Sequence, residues 1–203
     1  NLRKPGLPVY SEGRYSPTWV AVCEERYGGN GDVWVADGYG MSYVHRFDKN
    51  GNYLAGINGT EGKAGPFNCP HGIWMDTRHG EPELYIADRG NKGFQVYDLQ
   101  GRFKRSFGSD FLSSPCMCVA FQGELFVPEL SAKLTVLDDN DRFVCHIGDN
   151  ESVCDIPGWP NLPKAAMKAG KFNSPHSMAL DPSGNLYVVE WIIGGRITKL
   201  EKY

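Results

Sequence analysis

Two histidines stand directly behind a proline in this chain, Pro70-His71 and Pro175-His176, and each begins a short apolar run. The same position in two similar runs is Thr18 behind Pro17 and Cys116 behind Pro115. Two imidazoles and a thiol at one recurring position are unusual, and imidazole nitrogens converging from different strands suit Zn²⁺; a third ligand and a water complete a catalytic tetrahedron. A plainer use of the same residues is a histidine that caps its turn by bonding to backbone, and residue type alone leaves both uses open. A second set of candidates is acidic. Asp37, Asp88, Glu129 and Glu190 close four similar segments, Val33-Trp-Val-Ala-Asp37, Leu84-Tyr-Ile-Ala-Asp88, Leu125-Phe-Val-Pro-Glu129 and Leu186-Tyr-Val-Val-Glu190. An acid that recurs is expected to bond to the backbone of its own tight turn. The residues just beyond the acid vary, with Tyr39 two residues on in the first copy and Arg89 and Trp191 directly after it in others. Variation on a constant frame is where specificity is built. His45, His79 and His146 fall on outer or turn positions and are expected at the surface.

The elements that position these residues repeat. The openings at Pro17, Pro70, Pro115 and Pro175 are separated by 53, 45 and 60 residues. Each opening is followed by the acid-terminated run and then by an alternating third run, Tyr43 to Phe47, Phe94 to Tyr97, Leu134 to Leu137 and Arg196 to Leu200. These runs are rich in β-branched and aromatic residues and too short for helices. Three copies reach a turn, Asp48-Lys-Asn-Gly51, Asp98-Leu-Gln-Gly101 and Asp138-Asp-Asn-Asp141, and then a fourth strand. Asp bonds locally there, and Gly or Asn accepts a positive φ. Four antiparallel strands repeated in this order predict an all-β chain of about four β-propeller blades, one domain over residues 1–203. Residues 148–172, rich in Pro and Gly, are an insertion between blades, with one helical turn expected at Lys164-Ala-Ala-Met-Lys-Ala169.

The last copy ends after its third strand, so we expect the C-terminal portion of a six-bladed ring, or else a closed four-bladed ring, with an exposed edge open to self-association. Pro8-Val-Tyr10 is the candidate for an extra strand. Lys plus Arg number 21 against 24 Asp plus Glu, a net charge of -3 without long runs, which argues against nucleic acid as partner. No apolar run approaches the roughly 18 residues of a membrane span. Six cysteines are too sparse for a disulfide scaffold, and buried free thiols, with at most one bridge, are expected. Nucleophile elbows, phosphate loops and CxxC pairs are absent.

Leu84-Tyr-Ile-Ala-Asp-Arg-Gly-Asn with Phe94-Gln-Val-Tyr-Asp, and Pro175-His-Ser-Met-Ala-Leu-Asp-Pro-Ser-Gly-Asn-Leu-Tyr-Val-Val, resemble NHL repeats of six-bladed propellers. Over residues 16–203 the order Val-Ala-Asp-Gly-Tyr39, Pro-His71, Ala-Asp-Arg89 and Pro-His176 resembles the peptidyl-α-hydroxyglycine α-amidating lyase family. That resemblance implies a Zn²⁺-dependent enzyme that releases glyoxylate from a hydroxyglycine-extended peptide. It implies His71 and His176 as Zn²⁺ ligands, Tyr39 as general base or metal-adjacent phenolate, and Arg89 as the clamp for the substrate carboxylate. An extracellular or periplasmic location goes with it. Three features depart from the family: its third His lies in an earlier blade, the Cys after its Asp-Gly-Tyr is Gly40, and a Met before its last His is Ser174. Two other functions suit the same fold. One is a non-catalytic scaffold binding a protein or peptide; the other is a lactonase-like hydrolase with Ca²⁺ held by channel-lining acids such as Glu129 or Glu190, beside Cys116 and Trp191.

Overall fold

A computed structural model describes residues 4 to 202. Each sequence repeat becomes an antiparallel meander. The first sheet runs β1 (Trp19–Val22), β2 (Val33–Asp37), β3 (Tyr43–Phe47), β4 (Tyr53–Ile57), and the second β5 (Pro70–Asp76), β6 (Glu83–Asp88), β7 (Gly93–Asp98), β8 (Phe103–Phe107). The third is β9 (Val119–Phe121), β10 (Glu124–Glu129), β11 (Lys133–Leu137), β12 (Phe143–Ile147), and the fourth β13 (Pro175–Leu180), β14 (Leu186–Glu190), β15 (Arg196–Leu200). Strands follow one another in space as in sequence, which makes the chain an all-β protein with four blades of β-propeller type. No helix among the described residues is long and apolar enough to cross a membrane.

The hairpins between third and fourth strands form as their residues dictate. Asp48, Asp98 and Asp138 each accept, through Oδ1, the N–H groups two and four residues on. The chain then turns through a positive φ at Gly51, Gly101 and Asp141. Next to each turn the ladder shifts register, on the third strand between Arg46 and Phe47, Val96 and Tyr97, and Val136 and Leu137. Turn chemistry and bulge are therefore one recurring device.

The chain divides into two compact units, Asn1–Ser109 and Asp110–Tyr203. In the first, Trp34, Ala36, Val44, Ile73, Leu84, Ile86 and Tyr97 pack as one cluster between the two blades. Full burial of such side chains stabilises by about 1.5–3 kcal/mol each. In the second, Leu125, Val127, Leu134 and Leu137 are buried in the third blade, while Ala132, Val153 and Leu162 form a separate cluster beneath the inserted segment. That segment holds short 3₁₀ helices at Glu151–Asp155 and Lys164–Ala166, the latter within the helical turn expected there. No disulfide joins the six cysteines.

Two expectations are corrected. Pro8–Tyr10 is a 3₁₀ turn and not a strand, because Tyr10 turns inward to bond with Asp37 (2.6 Å) and His45 (2.7 Å). His45 is fully buried and not at the surface: its face of the sheet is covered by Tyr10, Tyr15 and Tyr53.

Candidate active site

The recurring acids set the frame. Asp37 Oδ1 accepts the Ser16 N–H (2.5 Å), Asp88 Oδ1 that of Asn68 (2.8 Å), Glu129 Oε2 those of Ser113 and Ser114 (2.5 and 3.0 Å), and Glu190 Oε1 those of Asn173 and Ser174 (2.5 and 3.0 Å). Each carboxylate thus grips the loop that leads into its own blade's opening proline. The expectation of a backbone-bonded acid holds, but the backbone gripped is mainly the incoming segment. A third-strand side chain supports the acid in three blades, Gln95 on Asp88 (2.9 Å), Thr135 on Glu129 and Arg196 on Glu190. In the first blade Tyr10 bonds to both Asp37 and the third-strand His45. Burial pushes the Asp88 carboxyl up, against hydrogen bonds from Asn68, Asn91 and Gln95.

The candidate ligands sit where the ladders break. Between the pairs Pro70↔Asp88 and Ile73↔Ile86, two residues, His71 and Gly72, stand against Ala87 alone. His176 is likewise the extra residue between Pro175↔Glu190 and Ser177↔Val189. Cys116 lies in the gap between the isolated bridge Pro115↔Glu129 and the β9–β10 ladder. At Thr18 the first blade carries no such bulge. An extra residue re-aims its side chain, which is why bulges gather beside functional sites.

In the unit Asn1–Ser109 three predicted residues meet. Tyr39 Oη lies 3.3 Å from His71 Nε2 and accepts from Arg89 Nη2 (3.1 Å), and the guanidinium lies over the Tyr39 ring, 5.2 Å from its centre. Tyr39 Oη and His71 Nε2 share one proton between them, donated by whichever of the two carries it in the imidazole tautomer present. His71 is 1% exposed, whereas Tyr39 is half-exposed, so the group opens to solvent on the tyrosine side. Two glycines permit this placement. A Cβ at Gly38 would lie 2.3 Å from the Pro70 carbonyl oxygen, and one at Gly40 would overlap the Asp37 carboxylate. Loop and strand opening therefore touch through backbone.

Sequence reasoning missed Cys69. Its Sγ accepts from the same Arg89 Nη2 (3.2 Å), and its backbone takes φ +62°, outside the usual range for a side-chain-bearing residue. Burial pushes the thiol up, with Arg89 pulling the other way. Its place directly before Pro70-His71 was the available signal. Tyr10 was also missed, and nothing in its sequence neighbourhood marks it.

In the unit Asp110–Tyr203, the Cys116 sulfur and a His176 ring nitrogen lie within 4.8 Å of each other. Cys116 is fully buried, with Sγ near the carbonyl oxygens of Ser114 (3.7 Å) and Pro175 (3.9 Å). Met117 Sδ accepts from Ser177 Oγ (3.3 Å) and the Met178 N–H (3.4 Å), so the two strand openings are stapled side by side. Glu129 and Glu190 are buried beneath them in the bonds described above. Trp191, 57% exposed, donates its backbone N–H to Ser174 O (2.8 Å). The insertion reaches the same opening: Trp159 Nε1 donates to Asn173 O, and Asn173 Nδ2 to Pro160 O.

No family model matches the sequence. Among curated proteins, the chain is 35% identical over 83 residues to a probable peptidyl-alpha-hydroxyglycine alpha-amidating lyase, pgal-1, of Caenorhabditis elegans. That match covers 40% of this chain and 22% of the relative, so the chain spans only a small part of it. Among solved structures, a protein of unknown function from Bacteroides caccae superposes with TM-score 0.58 and 13% identity, over 94% of this chain and 64% of the other. A chain of a nidogen/laminin complex gives 0.59 and 15%, over 87% and 56%. Identities so low carry fold alone.

Proposed function

We propose that this chain forms part of a metal-dependent lyase that cleaves the C–N bond of an α-hydroxyglycine-extended peptide, giving a peptide amide and glyoxylate. The carrying observation is the Tyr39 hydroxyl between Arg89 and His71, since a proton carrier and a carboxylate-binding cation beside an imidazole are what this reaction asks of a site. The nematode relative, a probable amidating lyase, supports the same reading. His71 and His176 are each candidate Zn²⁺ ligands, as the resemblance implies. The donor chemistry fits, as neutral imidazoles on bulged strand openings suit a borderline-soft ion. When bound, the ion supplies Lewis acidity toward the substrate hydroxyl oxygen.

The chain's own residues do the rest. Arg89 offers a planar fork of N–H donors, which binds a terminal carboxylate in two places and orients the carbinol carbon. Tyr39, as a phenolate, takes the hydroxyl proton as the carbinol C–O bond becomes a carbonyl and the C–N electrons leave with nitrogen. A proton returns to the amide nitrogen, so none is consumed overall. The Ca²⁺-dependent hydrolase is disfavoured because the Glu129 and Glu190 carboxylates are engaged by backbone N–H groups and by Thr135 and Arg196. The test is to incubate the Zn²⁺-loaded protein with benzoyl-α-hydroxyglycine and measure glyoxylate and benzamide together. Equal amounts, formed well above the spontaneous rate, are expected. Release at the spontaneous rate overturns the lyase in favour of a binding scaffold.

A further inference from the structure

We propose that Cys116 is a thiolate ligand of the same ion as His176, so that the metal centre is a mixed sulfur–nitrogen one. This rests on the metal-dependent reading above. Cys116 occupies the repeat position that His176 occupies in the next blade, and both stand where an opening strand leaves its ladder. A sulfur 2.3 Å and a nitrogen 2.0–2.1 Å from one tetrahedral zinc are about 3.6 Å apart. The separation here, within 4.8 Å, closes to that through small side-chain adjustments, and the Met117 staple keeps the two openings together meanwhile.

The setting of Cys116 also differs from that of a packing cysteine. Cys23 is buried in the apolar cluster with Trp34, Ile57 and Leu84. Cys116, equally buried, has two carbonyl oxygens and an imidazole around its sulfur. On binding, the thiol gives up its proton to solvent and the sulfur donates to the ion, so metal uptake releases a proton. Sulfur in the donor set favours Zn²⁺ over Ca²⁺ or Mg²⁺ and lowers the net charge of the centre.

Cobalt(II) tests this without any activity. In the full chain, bound Co²⁺ should show visible ligand-field bands together with a near-ultraviolet thiolate-to-cobalt charge-transfer band. Cys116→Ser should abolish the charge-transfer band and weaken Co²⁺ binding by about 100-fold or more. Cys145→Ser, at an exposed cysteine, should change neither. Cys116→His should keep tight Co²⁺ with an all-nitrogen spectrum, and it stands in if the serine variant fails to fold. Ligand-field bands without charge transfer in the parent, or charge transfer that survives Cys116→Ser, overturn the thiolate and leave the metal reading intact. A parent that binds no Co²⁺ overturns both.

Discussion

The Pro-His opening of the second blade and that of the fourth begin from one plan and end differently. In both, a strand-end acid grips the incoming loop and the histidine is the residue that breaks the ladder. Around His71 the neighbours are a tyrosine and an arginine that touch each other and the imidazole. Around His176 they are a buried thiol, with an exposed tryptophan at the position Arg89 holds in the second blade. The acid–proline clasp therefore belongs to the scaffold, since it recurs where the chemistry does not. Function is written in the residues next to it.

If that division is right, the same kind of change at equivalent places should have unequal effects. Tyr39→Phe keeps the ring against Arg89 and removes only the hydroxyl, so turnover of benzoyl-α-hydroxyglycine should fall by about 10²–10⁴ with folding unchanged. Trp191→Phe should alter turnover by less than about tenfold, because an exposed indole offers packing and no proton. Steady-state rates on both variants check this. Equal losses would mean that the fourth blade's turn carries chemistry too.

The middle strands sharpen the comparison in stability. In β6 every residue is buried, whereas β14 alternates, with Tyr187 and Val189 each 37% exposed. Leu84→Ala, at a fully buried site, should cost about 2–5 kcal/mol in a urea titration. Val189→Ala should cost less than about 1 kcal/mol. Comparable losses would show that the fourth blade's core is as tightly determined as the second's.

The blades were legible because their signals are local: apolar alternation, the Asp-led turns and the opening prolines need only a few residues each. His71 was legible from its repeat position, whereas its grouping with Tyr39 and Arg89 came from the ordered motifs that resemble the lyase family. The inward turn of Tyr10 was not legible, since a Pro-Val-Tyr run suits a strand as well as a 3₁₀ turn, and a partner 27 residues away decides between them. His45 was misplaced for a related reason. Its alternation in β3 gives the face on which it lies, and what covers that face comes from the N-terminal segment and β4.

The third-strand position facing the acid extends the comparison to pH. The second blade fills it with Gln95, which bonds to Asp88 directly and does not titrate. The first blade fills it with His45, whose Nε2 meets Tyr10 Oη and whose Nδ1 is buried without a partner. Burial holds His45 down at about 4, with the nearby Asp37 pulling it partly back, and Tyr10, Tyr15, Tyr43 and Tyr53 complete its surroundings. The folded imidazole stays neutral down to about pH 4, whereas the unfolded one takes up a proton below its ordinary value of roughly 6.5. The unfolded state therefore binds more protons across that window, and stability falls as pH drops from about 6.5 to about 4, by at most about 3 kcal/mol from this residue. Above that window His45 contributes no pH dependence. His45→Gln, which gives the first blade the second blade's residue, should flatten this part of the curve in urea unfolding measured at half-unit pH steps, whatever it does to stability at pH 7. A parent and a variant with the same slope between pH 6.5 and 4 would show that His45 is protonated in the folded protein, and that the two blades' third strands are alike in pH response after all.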